Sequence, residues 1–159
     1  MKRALAIGLA LATLVSFTPN AHSIGVFASW WNSNDIDNGF GLGANHQIQI
    51  IPLVGADVRV SWINFDGDGG GSVNVIPLEA AGYAKLGLFY AGAGIGYYIF
   101  DSDIDNSLGG FIFGGASIAV ADLGVFGELK YTFVETEIST LNVDASGFGI
   151  NLGVTLPFF

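Results

Sequence analysis

Strict alternation of apolar residues with small or polar ones is the feature that most restricts how this chain can fold. In the closing segment GFGINLGVTLPFF, every even-numbered residue from Phe148 to Phe158 is apolar, and Gly, Asn, Thr and Pro stand between them. The segment VGADVRVSW, residues 54–62, follows the same rule. A period of two is that of a β-strand with one apolar face. No segment after residue 23 keeps a helical period, so the sequence predicts an all-β protein.

Turn signals divide the chain into eight predicted strands, whose connections are alternately long and short. The long connections are acidic and read SNDIDN, DGDGGGS, DSDIDNS and TEISTLNVDA, whereas the short ones lie near Pro52, Lys85 and Asp122. In an antiparallel up-and-down meander, alternate connections emerge at opposite ends, so all acidic loops should share one rim. The predicted strands are 24–32, 39–50, 53–65, 73–84, 86–100, 108–121, 124–136 and 146–158.

The N-terminus has the pattern of a secretory signal. Lys2 and Arg3 precede an apolar run that ends near Phe17, and the small residues Ala21 and Ser23 follow at the positions that a signal peptidase reads. The run is shorter than the roughly 20 residues of a membrane-spanning helix, so an uncleaved anchor is the weaker alternative. We therefore expect residues 1–23 to be a cleaved signal peptide and residues 24–159 to form one domain.

Composition limits the kinds of environment and partner that the domain can have. The chain has no cysteine, which excludes disulfides and a lipid anchor on a processed cysteine. Without the signal, three basic residues remain against fourteen acidic ones, a formal charge near −11, which argues against a nucleic-acid partner. Hydrophobic residues make up 51 % of the chain and charged residues 12 %, an unusual balance for a soluble secreted domain. The sequence favours an apolar environment.

The two faces of the predicted strands decide between a soluble barrel, a sandwich and a transmembrane barrel. The polar face carries Gly, Ser, Asn and the three basic residues, while the apolar face carries Val, Ile, Leu, Phe and Trp. Lipid around a closed antiparallel barrel fits this pattern best, because closure satisfies every backbone donor and acceptor in hydrocarbon. Aromatic residues near the acidic loops are expected to form an interfacial girdle: Trp30, Trp31, Trp62, Tyr97, Tyr98, Tyr131 and Phe133.

The signal, the eight amphipathic strands and the final Phe158-Phe159 resemble the small outer-membrane barrels of Gram-negative bacteria, such as OmpX, OmpW and the OmpA membrane domain. The segment GVFASWWNSNDIDNGFGLGANHQI also has some similarity to YfaZ-type barrels. The resemblance implies outer-membrane localisation, lipid and lipopolysaccharide as surroundings, and recognition of the C-terminal strand by the barrel assembly machinery. One departure is that the apolar parity ends at Phe158, which leaves Phe159 one residue out of step.

Each of the three basic residues has an acid of matching parity on its own strand. The pairs are Asp57 with Arg59, Glu79 with Lys85, and Glu128 with Lys130. An eight-stranded barrel is just wide enough for side chains to fill, and a lone charge inside it would be costly. We predict a lumen charge network that acts as a plug, with Lys85 at the periplasmic rim; a gate whose pairs exchange is the alternative. The network comprises Asp57, Arg59, Glu79, Glu128 and Lys130.

Three smaller expectations concern individual strand residues. Gly92, Gly94 and Gly96 should leave room for long charged side chains across the lumen. Pro77 cannot donate to a ladder, so a bulge or a strand end is expected near it. His46, the histidine of the mature chain, should be a strand residue with a satisfied hydrogen bond.

Catalytic and metal-binding patterns are weak. No Gly-x-Ser-x-Gly segment occurs and no nucleophile with its base can be named, so no catalytic residue and no cofactor is predicted. Asp101, Asp103 and Asp105 have the spacing of the first half of a calcium loop, but Asn replaces the required Gly and the bidentate Glu is missing. Divalent cations bound weakly at the acidic rim are one interpretation, and a solvated acidic collar is the other.

These observations predict a monomeric barrel with a structural or surface-interaction role and a charge-plugged lumen. A narrow channel or transporter for small or apolar solutes, as in OmpW, is the alternative function. A lipid-modifying enzyme is the third candidate, and it lacks an identifiable catalytic cluster.

Overall fold

A computed structural model describes residues 22–51, 53–66, 72–101, 105–120, 122–138 and 141–158. The described residues form ten β-strands, and within these ranges no helix is long and apolar enough to cross a membrane. The strands in chain order are β1 (His22–Ser33), β2 (Asp37–Ile51), β3 (Val54–Asp66), β4 (Ser72–Leu86), β5 (Phe89–Phe100), β6 (Ser107–Val120), β7 (Leu123–Phe133), β8 (Glu135–Ile138), β9 (Leu141–Asp144) and β10 (Gly147–Phe158).

Eight of these strands close into a barrel in the order β1-β10-β7-β6-β5-β4-β3-β2. Every neighbouring pair is antiparallel, and closure comes from the pairing of β1 with β10 over the full length of both. The predicted fold class, an eight-stranded antiparallel up-and-down barrel, is confirmed. The predicted signal peptide falls almost wholly on residues 1–21, outside the described residues, and β1 begins at His22, two residues before Ile24.

The connection between β7 and β10 differs from the prediction. The sequence predicted that the seventh strand runs to residue 136 and that a loop follows it. In the structure β7 ends at Phe133, and a separate hairpin of β8 and β9 follows. Ile138 pairs with Leu141 at the tip of this hairpin. Four residues per strand are too few for a period of two to be recognised, so the sequence carries no usable signal for this hairpin.

The barrel has an apolar outside and a mostly polar or aromatic inside, as the alternation predicted. On the outer face Leu42, Ile95 and Leu152 expose 68 %, 70 % and 62 % of their surface. Their inward neighbours on the same strands are buried or half-buried. An apolar belt around the whole circumference is stable in lipid and would aggregate in water, so the protein is a transmembrane barrel.

The predicted aromatic girdle is wrong for two of its members. Trp62, Tyr97 and Phe133 face outward and are exposed, as expected at a membrane interface. Trp31 and Tyr98 instead point into the barrel and are almost completely buried. The reason is the period of two itself: Trp31 follows Trp30, and Tyr98 follows Tyr97, so one residue of each adjacent pair must turn inward.

The expectations for glycine and proline in the strands also need correction. A side-chain carbon added at Gly92 or Gly94 would meet a phenylalanine ring at 2.6 Å, from Phe113 and Phe111 respectively, so these glycines accommodate aromatic rings and not long charged side chains. Pro77 interrupts the β3–β4 ladder, but no bulge accompanies it, because the same register resumes on both sides. A missing N–H removes a hydrogen bond and does not require an extra residue.

Candidate functional site

Buried apolar side chains pack together at the end of the lumen that carries the long loops. Trp31 packs edge-on against Phe65 with ring centroids 5.3 Å apart, and it lies 5.9 Å from the ring of Tyr98. We call this group the loop-end cluster. Its buried members come from β1, β3, β4 and β5 and from the residues that flank the β8–β9 hairpin: Trp31, Ile63, Phe65, Val75, Tyr98, Phe100, Val134 and Ala145.

Below the loop-end cluster, Arg59 crosses the lumen. Its Nη1 and Nη2 donate to the two carboxylate oxygens of Glu128 at 2.5 and 2.9 Å, and its Nε donates to Asp57 Oδ2 at 2.9 Å. Arg59 lies on β3 and Glu128 on β7, and these strands are four apart in a ring of eight, so they face each other across the barrel. The fork of a guanidinium matches a carboxylate in this bidentate geometry, which makes the pair one of the strong kinds of hydrogen bond.

A second ion pair lies beside the first. Lys130 on β7 contacts Glu79 on β4, with Nζ 2.7 Å from Oε1, and the hydroxyl of Tyr98 donates to the same oxygen at 3.0 Å. All charged members of both pairs are buried. Through Tyr98, this pair also connects the charged layer to the loop-end cluster above it.

Amides and aromatic rings complete the charged layer. Asn151 Nδ2 donates to Glu128 at 2.9 Å, and Asn45 Nδ2 lies 3.3 Å from both oxygens of Asp57. The Arg59 guanidinium lies 4.4 Å from the centre of the Phe113 ring, where a cation–π contact is favourable. These partners compensate part of the cost of removing the charges from water.

The structure thus brings Asp57, Arg59, Glu79, Glu128 and Lys130 into one layer. Of the ion pairs in this layer, one joins two residues of the same strand, as the sequence predicted. Arg59 contacts Asp57 on the same strand, as predicted. Lys130 contacts Glu79 on β4 and not Glu128, the acid on its own strand that the sequence predicted as its partner. Sequence reasoning missed the supporting residues Asn45, Asn151 and Phe113, and it assigned Tyr98 to the interfacial girdle. The inward parity of the two asparagines was visible in the sequence, and it could have identified them as partners.

The end of the lumen that carries the short turns is open. A cavity of about 400 Å³ extends from Asp57 to the turn between β4 and β5, and we call it the turn-end cavity. Lys85, predicted to lie at this rim, is one of its lining residues and does not contact Glu79. The lining also includes Gln47, Gln49, Tyr83, Tyr90, Phe113, Ser117, Phe126 and Thr155.

Asp101, one of the acidic residues proposed as a metal ligand, contacts the loop end of β4. Asp101 accepts hydrogen bonds from the backbone N–H and the side-chain amide of Asn74, at 2.8 and 2.5 Å, and Asp105 is exposed. Asp103 lies outside the described residues. Among the residues that the structure describes, no group of three His, Cys, Asp or Glu side chains is arranged to hold a metal ion.

The first loop and the β8–β9 hairpin are joined at Asp144. Its carboxylate accepts from the Asn34 side chain and from the Ser146 N–H, at 2.8 and 2.9 Å, while its N–H donates to the carboxylate of Asp35 at 2.8 Å. The hydrogen bonds from Ser146 and Asn34 lower the pKa of the Asp144 carboxyl, because they favour its charged form. This contact holds two loops together at the rim.

His46 faces the outside of the barrel near its turn end. Its Nε2 lies 3.2 Å from Nδ1 of His22, which precedes the expected cleavage point, so a satisfied hydrogen bond for His46 in the mature chain stays a prediction. Neither histidine lines the charged layer.

Solved structures place this geometry among known folds. The crystal structure of Neisserial surface protein A (NspA) matches with a TM-score of 0.68 at 12 % identity, over 89 % of this chain and 98 % of the other. The chain has the fold of the small outer-membrane barrels. The outer membrane protein AlkL matches at 0.62 and 14 % identity, over 91 % and 92 %, and the Yersinia pestis outer membrane protein Ail at 0.56 and 10 %, over 87 % and 99 %. No family model and no curated protein matches the sequence.

The likeness bears out the resemblance drawn from the sequence and agrees with the predicted outer-membrane localisation, since AlkL and Ail are both outer membrane proteins. At identities of 10–14 % it shows the fold alone. What the lumen does must therefore be argued from the side chains of this chain.

Proposed function

We propose that this protein is a monomeric, non-enzymatic barrel of the bacterial outer membrane with a structural or surface-interaction role, and that its charged layer is a permanent plug. The observation that carries this proposal is the bidentate Arg59–Glu128 pair, which spans the lumen between opposite strands. A chain with this arrangement offers its loops, and not its interior, to the outside.

Two features favour a permanent plug over a gate. An opening would separate Arg59 from Asp57 and Glu128 together, and breaking a buried pair is strongly unfavourable because it leaves an uncompensated charge. The loop-end cluster would also have to part, since it lies between the charged layer and the loops. A solute would have to displace both an ion-pair layer and an apolar layer to cross the barrel.

The surroundings follow from this role. The apolar belt contacts outer-membrane lipid and lipopolysaccharide, and β10, which ends at Phe158, is the strand that the barrel assembly machinery would recognise. The acidic loops, with Asp101, Asp103 and Asp105, would attract divalent cations weakly and could bridge the rim to anionic lipopolysaccharide. Each of these partners is a proposal that rests on chemistry and location.

Conductance across a planar bilayer tests the plug. We expect refolded wild-type protein, and also Arg59→Ala and Lys130→Ala, to show no uniform single-channel steps, while the variants lose stability. Heat-modifiable migration on gels establishes that each variant is folded, and Lys85→Ala is a matched control that removes a lumen cation outside the layer. A discrete, reproducible open state in the wild type or in Arg59→Ala would instead support the narrow channel or transporter.

A further inference from the structure

The turn-end cavity is the part of the lumen for which the plug provides no role. We propose that it binds a small organic anion, a carboxylate joined to an aromatic ring or a short apolar group, which enters from the end that carries the short turns. In transmembrane barrels of this kind the short turns face the periplasm. The ligand would therefore come from inside the envelope and not from the cell surface.

Lys85 supplies the charge that would recognise the ligand. Arg59 and Lys130 each contact a carboxylate within 2.8 Å, but no described residue forms an ion pair with the side chain of Lys85. Lys85 lies in the wall of the cavity, half-buried, next to the β4–β5 turn. An ammonium group in a partly dehydrated site binds an anion more strongly than one on an open surface, because water screens it less.

The cavity is lined by both polar and aromatic side chains, which suit a ligand with two parts. Gln47, Ser117 and Thr155 bring amide and hydroxyl groups to the wall. Rings in the same lining offer apolar contact: Tyr90 lies 6.4 Å from Tyr83 and 6.1 Å from Phe113, measured between ring centroids. A charged head near Lys85 and a ring among these aromatics would use both features.

The size and closure of the cavity fit binding and not passage. A volume of about 400 Å³ falls at the small end of known ligand pockets, which span roughly 300–1,000 Å³. Its inner end is formed by Asp57 and Phe113, members or neighbours of the charged layer. A ligand that enters from the turns meets a closed floor and must leave by the same opening.

Fluorine NMR tests the proposal directly. The full mature protein in zwitterionic nanodiscs would be titrated with 4-(trifluoromethyl)benzoate, with the neutral 4-(trifluoromethyl)benzamide as the matched probe and with inorganic phosphate as a competitor. We expect saturable binding of the benzoate, weakened about tenfold in Lys85→Gln and retained in Lys85→Arg, because one charge-assisted contact is lost. Binding of the benzamide should be weak and equal in all three proteins.

A cavity-filling variant and the phosphate competition give results that would overturn the proposal. Ser117→Trp, which places a large ring in the cavity from β6 and keeps Lys85, should abolish saturable benzoate binding, and heat-modifiable migration establishes that every variant is folded. Benzoate binding that is non-saturable, or equal in wild type, Lys85→Gln and Ser117→Trp, would overturn the site. Displacement of benzoate by phosphate at equal concentration would overturn the two-part ligand, because the aromatic interior would then add nothing.

Discussion

The two halves of the lumen differ although the same alternation of residues builds both. Toward the loops, inward positions carry Trp31, Phe65 and Tyr98, whose rings pack against one another. Toward the turns, inward positions carry Gln47, Lys85 and Thr155, which line an open cavity of about 400 Å³. Between them lies the charged layer centred on Arg59.

A period of two determines which residues face inward. The size and polarity of those residues then determine whether the lumen is filled. Rings from several strands converge at the loop end and exclude water, as a packed core does. At the turn end, the rings of Tyr83, Tyr90 and Phe113 stand among polar side chains, and a cavity remains between them. We therefore expect substitutions in the charged layer and the loop half to affect stability, and substitutions in the turn half to affect what the lumen holds.

The largest expected difference is in the stability lost when the lumen cations Arg59 and Lys85 are each replaced by alanine. Arg59→Ala leaves Asp57 and Glu128 buried without their cation, so we expect a loss of about 3–5 kcal/mol in the free energy of unfolding. Lys85→Ala, at the open end, should change it by less than about 0.5 kcal/mol. Urea unfolding of vesicle-reconstituted protein, followed by tryptophan fluorescence, measures both, and equal losses would show that the two halves do not differ in this way.

A second, smaller contrast concerns two inward glycines. An added carbon at Gly94 would lie 2.4 Å from the backbone oxygen of Ala80 and 2.6 Å from the Phe111 ring, so Gly94→Ala should cost about 1–3 kcal/mol. At Gly124 the nearest backbone oxygen is 3.8 Å away and the close atom is the hydroxyl of Thr155, which can rotate into the cavity. Gly124→Ala should cost less than about 1 kcal/mol by the same urea assay. A larger cost at Gly124 would indicate that the turn half is as tightly packed as the rest.

The smallest effect concerns pH at the loop rim. Because hydrogen bonds from Ser146 and Asn34 lower the pKa of Asp144 in the folded protein, its contribution to loop docking is present above the unfolded-state pKa and is lost as pH falls through the folded-state pKa. Amide exchange at Asn34 and Asp35, which donate to Ser146 and Asp144, should lose protection over that acid range. The Lys85 amide, bonded to Leu53 at the other end, should not respond, and Asp144→Asn should remove the response at the loops. A response that persists in Asp144→Asn would assign it to another group.

Much of the fold was predictable because alternation is a local property. Eight barrel strands, their antiparallel order and the inward direction of Asp57, Arg59, Glu128 and Lys130 all follow from residue parity and from turn signals. The same parity rule also places Trp31 and Tyr98 inside the barrel. They were assigned to an interfacial girdle because they are aromatic and lie near the acidic loops. Only the short hairpin of β8 and β9 carried too little pattern to be found.

Alternation along the chain is enough to predict a barrel with an apolar outside and its basic residues inside, since the face on which a strand residue lies follows from its position in the period of two. The tertiary contacts show that Arg59 meets Glu128, that Lys130 meets Glu79, and that rings pack together at the loop end while a cavity remains at the turn end. These contacts join strands that are not adjacent, so they depend on how far each strand is staggered against the next when the sheet closes. A period of two contains no information about that stagger.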